Sequence, residues 1–241
     1  MKAAAPCFDD LSGLGPRRLA RMRRARAELF TTIRRFRRAA SHPLREVLAA
    51  GEHPFTHYVH YPPGNADDPQ TGYLWYYHAH EPAPGRPWDE HGHFHLFCQP
   101  RLLAGRAEPV LPALGIEEGA KGGLPHLFGL SLSERGAPCR LFTINRWASN
   151  EPLYATPDLL PVIDRFAVTR DRPHALVGRW LGALTRLLHP QLAWLVGERD
   201  RVLAEHRARD PDGYGEDRAL EVVSTLPIDL NAVYAALDRA G

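Results

Sequence analysis

Residues 71–98 have the sequence TGYLWYYHAHEPAPGRPWDEHGHFHLFC. The first part, residues 72–80, is rich in aromatic residues, which favour β-strands. A loop with three prolines follows at residues 81–90. In residues 91–98, histidines alternate with glycine and apolar residues, as they would along a strand. The stretch therefore predicts two neighbouring strands, which can pair as an antiparallel hairpin.

Histidines at a spacing of two residues occur in both predicted strands. The five are His78, His80, His91, His93 and His95. Because successive strand residues point to opposite faces, the histidines of each strand share a face. One hairpin register brings all five onto one surface, with the opposed pairs His80 and His91, His78 and His93, and Tyr76 and His95. A slip of one residue would separate the two sets.

Neutral imidazole is a good ligand for transition metals, so the five histidines predict a site for a divalent ion, with zinc or iron favoured. Residues two apart on a strand lie about 6.7 Å apart, and those four apart lie about 13 Å apart. The histidine triplet at 91–95 is therefore not expected to bind one ion alone. Two of its members would combine with one or two from the other strand. The predicted function is a metal-dependent enzyme acting on a small molecule, hydrolytic or oxidative.

Three further residues are candidates for catalytic roles. Glu90 precedes the histidine triplet and Tyr76 lies on the facing strand, so both could shuttle protons or contact the substrate. Arg146, at the end of a predicted strand, could bind a carboxylate or phosphate. Of His57 and His60, on the preceding predicted strand, at most one can face the same way as the cluster.

Three interpretations of the histidines without metal catalysis also remain open. The histidines could be a row of exposed or core-packed residues with no chemical role. They could instead form an anion-binding or acid–base surface that holds no metal. Alternatively, the chain could be a non-enzymatic module that binds a metal or an anionic partner, with the basic N-terminal helix as a contact surface. That helix contains no recognised nucleic-acid-binding motif, so nucleic acid is not an expected partner. The oligomeric state is not predicted.

The segment HGHFHLF, residues 91–97, resembles the signature of the histidine triad nucleotide hydrolases and transferases. The resemblance implies that His93 would be the nucleophile toward an α-phosphate, supported by His91 and His95. Gly92 departs from the pattern, since that family prefers a branched apolar residue there. Over its whole length, the chain resembles an uncharacterised bacterial protein family, and this resemblance implies no particular activity.

The rest of the chain predicts an α+β fold in one domain, residues 1–241. A basic helical part at 1–51 precedes an antiparallel sheet of about five strands at 55–147, and a helical part follows at 157–241. A long helix is predicted from Pro16, and a short one between the N-cap Ser41 and Gly51. The predicted strands are 55–61, 72–80, 91–98, 125–133 and 140–147, and residues 62–70 are predicted to be a loop.

The composition is that of a soluble globular protein, with 44% hydrophobic and 24% charged residues. Charge is uneven, because residues 1–50 contain 12 Lys and Arg against 4 Asp and Glu. No apolar run is long enough to span a membrane, and Met1 to Gly15 lack the apolar centre of a secretory signal. The three cysteines, Cys7, Cys98 and Cys139, are too few for a disulfide framework. We therefore expect a cytoplasmic protein.

Overall fold

The computed structural model describes residues 8, 10–49, 54–81, 88–112, 123–170 and 174–240. Within these ranges the chain has six β-strands and seven α-helices, which confirms the predicted α+β class. The strands are β1 (Tyr61–Asp68), β2 (Tyr73–His78), β3 (Gly92–Cys98), β4 (His126–Leu132), β5 (Pro138–Ile144) and β6 (Val222–Pro227). The helices are α1 (Pro16–Arg38), α2 (Pro43–Ala49), α3 (Arg146–Ser149), α4 (Thr156–Ile163), α5 (Ala175–Leu187), α6 (His189–Arg209) and α7 (Leu230–Arg239). Cys7, Gly51 and part of the loop at 81–90 lie outside the described residues.

The strands form one antiparallel sheet in the order β1-β2-β3-β4-β5-β6, so each pairs with the next in the chain. The sheet has six strands, not the five predicted, because β6 joins from the C-terminal part. Ser224 on β6 lies opposite Thr143 on β5, and the two hydroxyls are hydrogen-bonded across 81 positions of sequence. The alternation of residues within each segment cannot predict that two strands so far apart in the sequence will pair.

The first strand is not where the sequence predicted it. Residues 55–60 lie outside any strand, and β1 occupies most of the segment 62–70 that was predicted to be a loop. β1 is an edge strand, where proline is tolerated because one side of the backbone needs no partner. Gly64 and Asn65 have positive φ and lie where the β1–β2 register shifts. The Pro, Gly and Asn residues that indicated a loop therefore form an irregular edge strand.

The predicted strand 140–147 also ends earlier, at Ile144. The Asn145 side chain accepts a hydrogen bond from the Arg146 backbone N–H and caps α3, while its amide donates to the Tyr214 carbonyl. An asparagine with a buried partner for its amide favours a helix start over further strand. Arg146 therefore lies in the first turn of a short helix.

The two faces of the sheet have different coverings. The face with Trp75, Phe94 and Leu96 is fully buried and packs on helices, with Phe94 contacting Trp180 of α5 at 5.9 Å between ring centroids. Because residues alternate along each strand, the histidines of β2 and β3 lie on the opposite face. This second face lines a cavity that α6 borders on its far side.

The basic helix α1 is tied into the fold by ion pairs. Arg18 and Arg21 each reach the Asp164 carboxylate at 2.7 Å, and Arg26 reaches Asp238 at 2.7 Å. Part of the positive charge predicted from the N-terminal sequence is thus neutralised within the molecule. Among the described helices, none is long and apolar enough to cross a membrane.

Candidate metal centre

Three histidine side chains converge where β2 ends beside β3. The Nε2 atom of His78 lies 2.7 Å from Nε2 of His93 and 3.2 Å from Nε2 of His80. One nitrogen from each of the three lies within 4.8 Å of the other two. Zinc holds nitrogen ligands at about 2.0–2.1 Å, which corresponds to about 3.4 Å between two ligands of a tetrahedral site. The three nitrogen atoms are therefore close enough to one another for one ion to take all three as ligands.

Glu90 fixes the orientation of His93. Its carboxylate accepts a hydrogen bond from His93 Nδ1–H at 2.6 Å and one from Trp88 Nε1–H at 2.8 Å. Burial would raise the pKa of Glu90, but hydrogen bonds from His93, Ser131 and Trp88 outweigh it and lower the pKa to about 2. Because an ionised carboxylate only accepts, His93 presents its Nδ1–H to Glu90 and turns its Nε2 toward His78. Metal-binding histidines have this arrangement.

His78 is held in its neutral form. Burial, together with the neighbouring imidazoles of His93, His80 and His60, lowers the pKa of His78 to about 2. Its Nε2 faces two other ring nitrogens, and one proton on that atom cannot make two good hydrogen bonds. An ion at the centre would accept a lone pair from all three. The geometry and the protonation state therefore both favour metal binding.

Of the two hairpin registers that the sequence left open, the structure has the one that puts the histidines of both strands on one face. Tyr76 lies opposite His95 and His78 lies opposite His93. His80 is two residues beyond the end of β2, and its ring still reaches the cluster.

The structure corrects the predicted position of His91, whose side chain does not share the face of the other four histidines. Its Nδ1 is hydrogen-bonded to the Tyr77 hydroxyl at 2.6 Å, and Tyr77 belongs to the opposite, helix-covered face. β3 begins at Gly92, so the two-residue alternation does not extend to His91. A Cβ at Gly92 would lie 2.5 Å from the His78 carbonyl, which shows how closely the backbones approach here.

His95 lies beside the three converging histidines and pairs with a histidine that the sequence analysis did not single out. Its Nδ1 is 2.9 Å from Nε2 of His126 on β4, and both rings are buried. Burial lowers the pKa of His126 to about 3 and holds that of His95 far below its usual value. The pair is therefore neutral and shares one N–H···N bond. His126 occurs alone in its strand, so only the β3–β4 register reveals it.

Tyr76 lines the same cavity, as predicted, and is flanked by aromatic rings. It stacks on His60 with 3.8 Å between ring centroids and contacts His95 at 5.1 Å. Burial, with a further contribution from the charge of Glu151, raises the pKa of the Tyr76 hydroxyl. His60 is thus the member of the pair His57 and His60 that faces the cluster.

Arg146 lies away from the histidines. Its guanidinium contacts the Glu216 carboxylate at 2.8 Å and donates to the Pro112 carbonyl at 2.8 Å. The side chain is buried, so its contacts tie α3 to two neighbouring segments. Of the predicted site residues, the structure brings together His78, His80, His93, Glu90, Tyr76 and His95, and it places His91 and Arg146 elsewhere.

The cavity in front of the histidines has a volume of about 1020 Å³, at the upper end of the range for small-molecule sites. Phe142 covers part of its floor, with its ring 5.0 Å from that of His93. A Cβ on Gly129, the residue opposite Phe142, would lie 2.1 Å from this ring. Gly129 therefore makes room for Phe142. The sequence did not indicate that either residue belongs to the site, because their contact depends on the pairing of β4 with β5.

No curated protein and no solved structure is significantly similar to the chain. The comparisons give no evidence for a histidine triad motif, so the resemblance of residues 91–97 to those enzymes is not supported. The model of a family described as a domain of unknown function, DUF6969, matches residues 23–228, so the chain belongs to that family.

Proposed function

We propose that this protein is a metal-dependent enzyme acting on a small molecule, with His78, His80 and His93 as the ligands of one transition-metal ion. The observation that carries the proposal is the convergence of three Nε2 atoms on one point at the wall of a large cavity. Three neutral nitrogen donors suit zinc or iron better than magnesium or calcium, which prefer oxygen.

An enzymatic role is favoured over a structural one by the number of ligands and the position of the site. Structural zinc sites have four protein ligands, whereas catalytic sites keep a position open for water or substrate. Within the described part of the chain three histidines supply the ligands, and the cavity lies in front of them. An ion so placed would act as a Lewis acid and lower the pKa of a water molecule. Hydrolysis is one chemistry open to such a site, and oxidation is the other if the ion is iron.

A cytoplasmic location is part of the proposal. Cys98 and Cys139, the cysteines in the described part of the chain, are both unpaired. Reduced thiols are usual in the cytoplasm.

Metal analysis of protein purified without an affinity tag tests the metal site. We expect about one equivalent of zinc or iron per chain, and a rise in thermal stability when the ion is restored after chelation. His80→Ala and His93→Ala should each abolish tight binding. His91→Ala is the matched control, because that ring bonds to Tyr77 on the other face, and it should bind metal as the wild type does. Binding that survives in His80→Ala and His93→Ala would refute the site.

Activity then distinguishes an enzyme from a metal-binding module. The zinc-loaded protein is assayed against a panel of carboxylic and phosphoric esters, and the iron-loaded protein is assayed for dioxygen uptake with the same compounds. We expect turnover that a chelator abolishes, that the metal restores and that His80→Ala lacks. Metal binding without turnover of any of these compounds would favour the non-enzymatic alternative.

A further inference from the structure

A carboxyl group that lines the cavity lacks the contacts that Glu90 has. Glu151 follows α3 and lines the cavity. One of its oxygens, Oε2, is buried and has no hydrogen-bond partner among the described residues. A buried oxygen without a partner costs about 1–3 kcal/mol, so such atoms are rare in folded proteins and often have a functional reason.

Glu151 carries a proton at neutral pH. Burial raises its pKa to about 9, and a hydrogen bond from Ser149 offsets only part of that effect. Tyr76 and Cys98, whose pKa values its charge raises, titrate at higher pH still, so Glu151 ionises before either of them. A protonated carboxyl is a hydrogen-bond donor, and the unpartnered Oε2 therefore has an unused hydrogen-bonding capacity in a residue that lines the cavity.

Glu90, behind His93, and Glu151, in the lining of the cavity, are thus in opposite states. Glu90 is ionised and occupied in orienting His93, whereas Glu151 is neutral and has an unused bonding position. Carboxyl groups whose surroundings drive their pKa values apart typically have different roles in one site. The rings of Phe97, Phe142 and Trp194 also line the cavity and offer apolar surface to a ligand.

We propose that Glu151 is a hydrogen-bond donor for the ligand of this cavity, and that the ligand is an apolar compound bearing a carbonyl oxygen. The inference rests on the proposed function in taking the cavity as the substrate site, but it does not require the ion. A carbonyl oxygen accepts one hydrogen bond without demanding a charge, which suits a neutral donor, and the apolar part of the ligand would contact the aromatic rings of the lining. A cationic ligand would instead require Glu151 to ionise.

Benzamide is a suitable probe, because it joins an aromatic ring to a carbonyl, and calorimetry or ligand-observed NMR measures its affinity. At pH 7 we expect Glu151→Leu to weaken binding about tenfold, the value of one hydrogen bond. Glu151→Gln keeps an N–H donor in the same place and should bind within about twofold of the wild type. Between about pH 8 and pH 10 the wild type should lose affinity as Glu151 ionises, while Glu151→Gln should not.

The outcomes separate this inference from the metal site. The titrations are repeated with metal-free protein and with His80→Ala, and a benzamide affinity that depends on Glu151 in both supports the inference even if no metal binds. The inference is overturned if benzamide does not bind, if Glu151→Leu binds it as the wild type does, or if Glu151→Gln shares the loss at high pH. Preference for benzylamine over benzamide, abolished in Glu151→Gln, would also overturn it, because an ionised Glu151 would then be pairing with a cation.

Discussion

Replacing Glu151 by Gln should make the protein less sensitive to high pH, because the native state keeps Glu151 protonated. The pKa of this carboxyl is about 9 in the folded chain against an ordinary value of 4.5. Above pH 4.5 the unfolded chain releases the proton and the folded chain does not. Stability therefore falls with rising pH through this window, up to about pH 9, at about 1.4 kcal/mol per pH unit. At pH 7 the free energy of unfolding has fallen by about 3 kcal/mol through this effect, and that of Glu151→Gln should not fall in this way.

Urea unfolding at a series of pH values from 4 to 9 measures the effect. The difference in the free energy of unfolding between Glu151→Gln and the wild type should grow steadily in favour of the variant, with a slope of about 1.4 kcal/mol per pH unit. An effect of the amide that does not depend on pH shifts the difference in the free energy of unfolding by the same amount at every pH. It does not change the slope of that difference against pH. Glu205→Gln is the control, because its exposed ion pair with Arg201 should contribute little. Parallel stability curves for wild type and Glu151→Gln would mean that Glu151 is ionised in the folded protein.

Two further predictions concern the support of the site and the packing of the helices. Glu90→Gln should weaken zinc binding by about 10–100-fold, measured by competition with a chromophoric chelator, because the amide lacks the charge that holds His93; an unchanged affinity would contradict this role. Gly178→Ala should destabilise the fold by about 1–3 kcal/mol in thermal unfolding, since the new Cβ would lie 1.8 Å from the Val168 carbonyl. Gly197→Ala, in open space on α6, should instead stabilise by up to about 1 kcal/mol, and destabilisation of both variants alike would refute the steric explanation.

Several features of the fold and the site could be predicted from local sequence. Strand alternation alone placed His93 and His95 on one face, and the spacing of His78 and His80 predicted that they would meet them in the register that the structure has. Likewise, Pro16 and the apolar positions that follow it predicted a long helix, which is α1. These features depend on backbone periods of two and 3.6 residues, and such periods are properties of neighbouring residues.

Other features depend on contacts between residues far apart in sequence. β6 and its pairing with β5, the His126 partner of His95 and the space that Gly129 leaves for Phe142 all follow from strand pairing. His91 shows the limit of a local rule, because strand geometry begins only at Gly92.

The protonation state of Glu151 also could not be predicted from local sequence. Its sequence neighbours do not distinguish it from an ordinary surface glutamate, and its raised pKa comes from burial. Alternation along a strand is local, so the sequence predicts which side chains share a face. Burial and convergence on one point depend on the packing of distant segments, so only the tertiary structure separates the three converging histidines and the protonated Glu151 from the other histidines and glutamates of the chain.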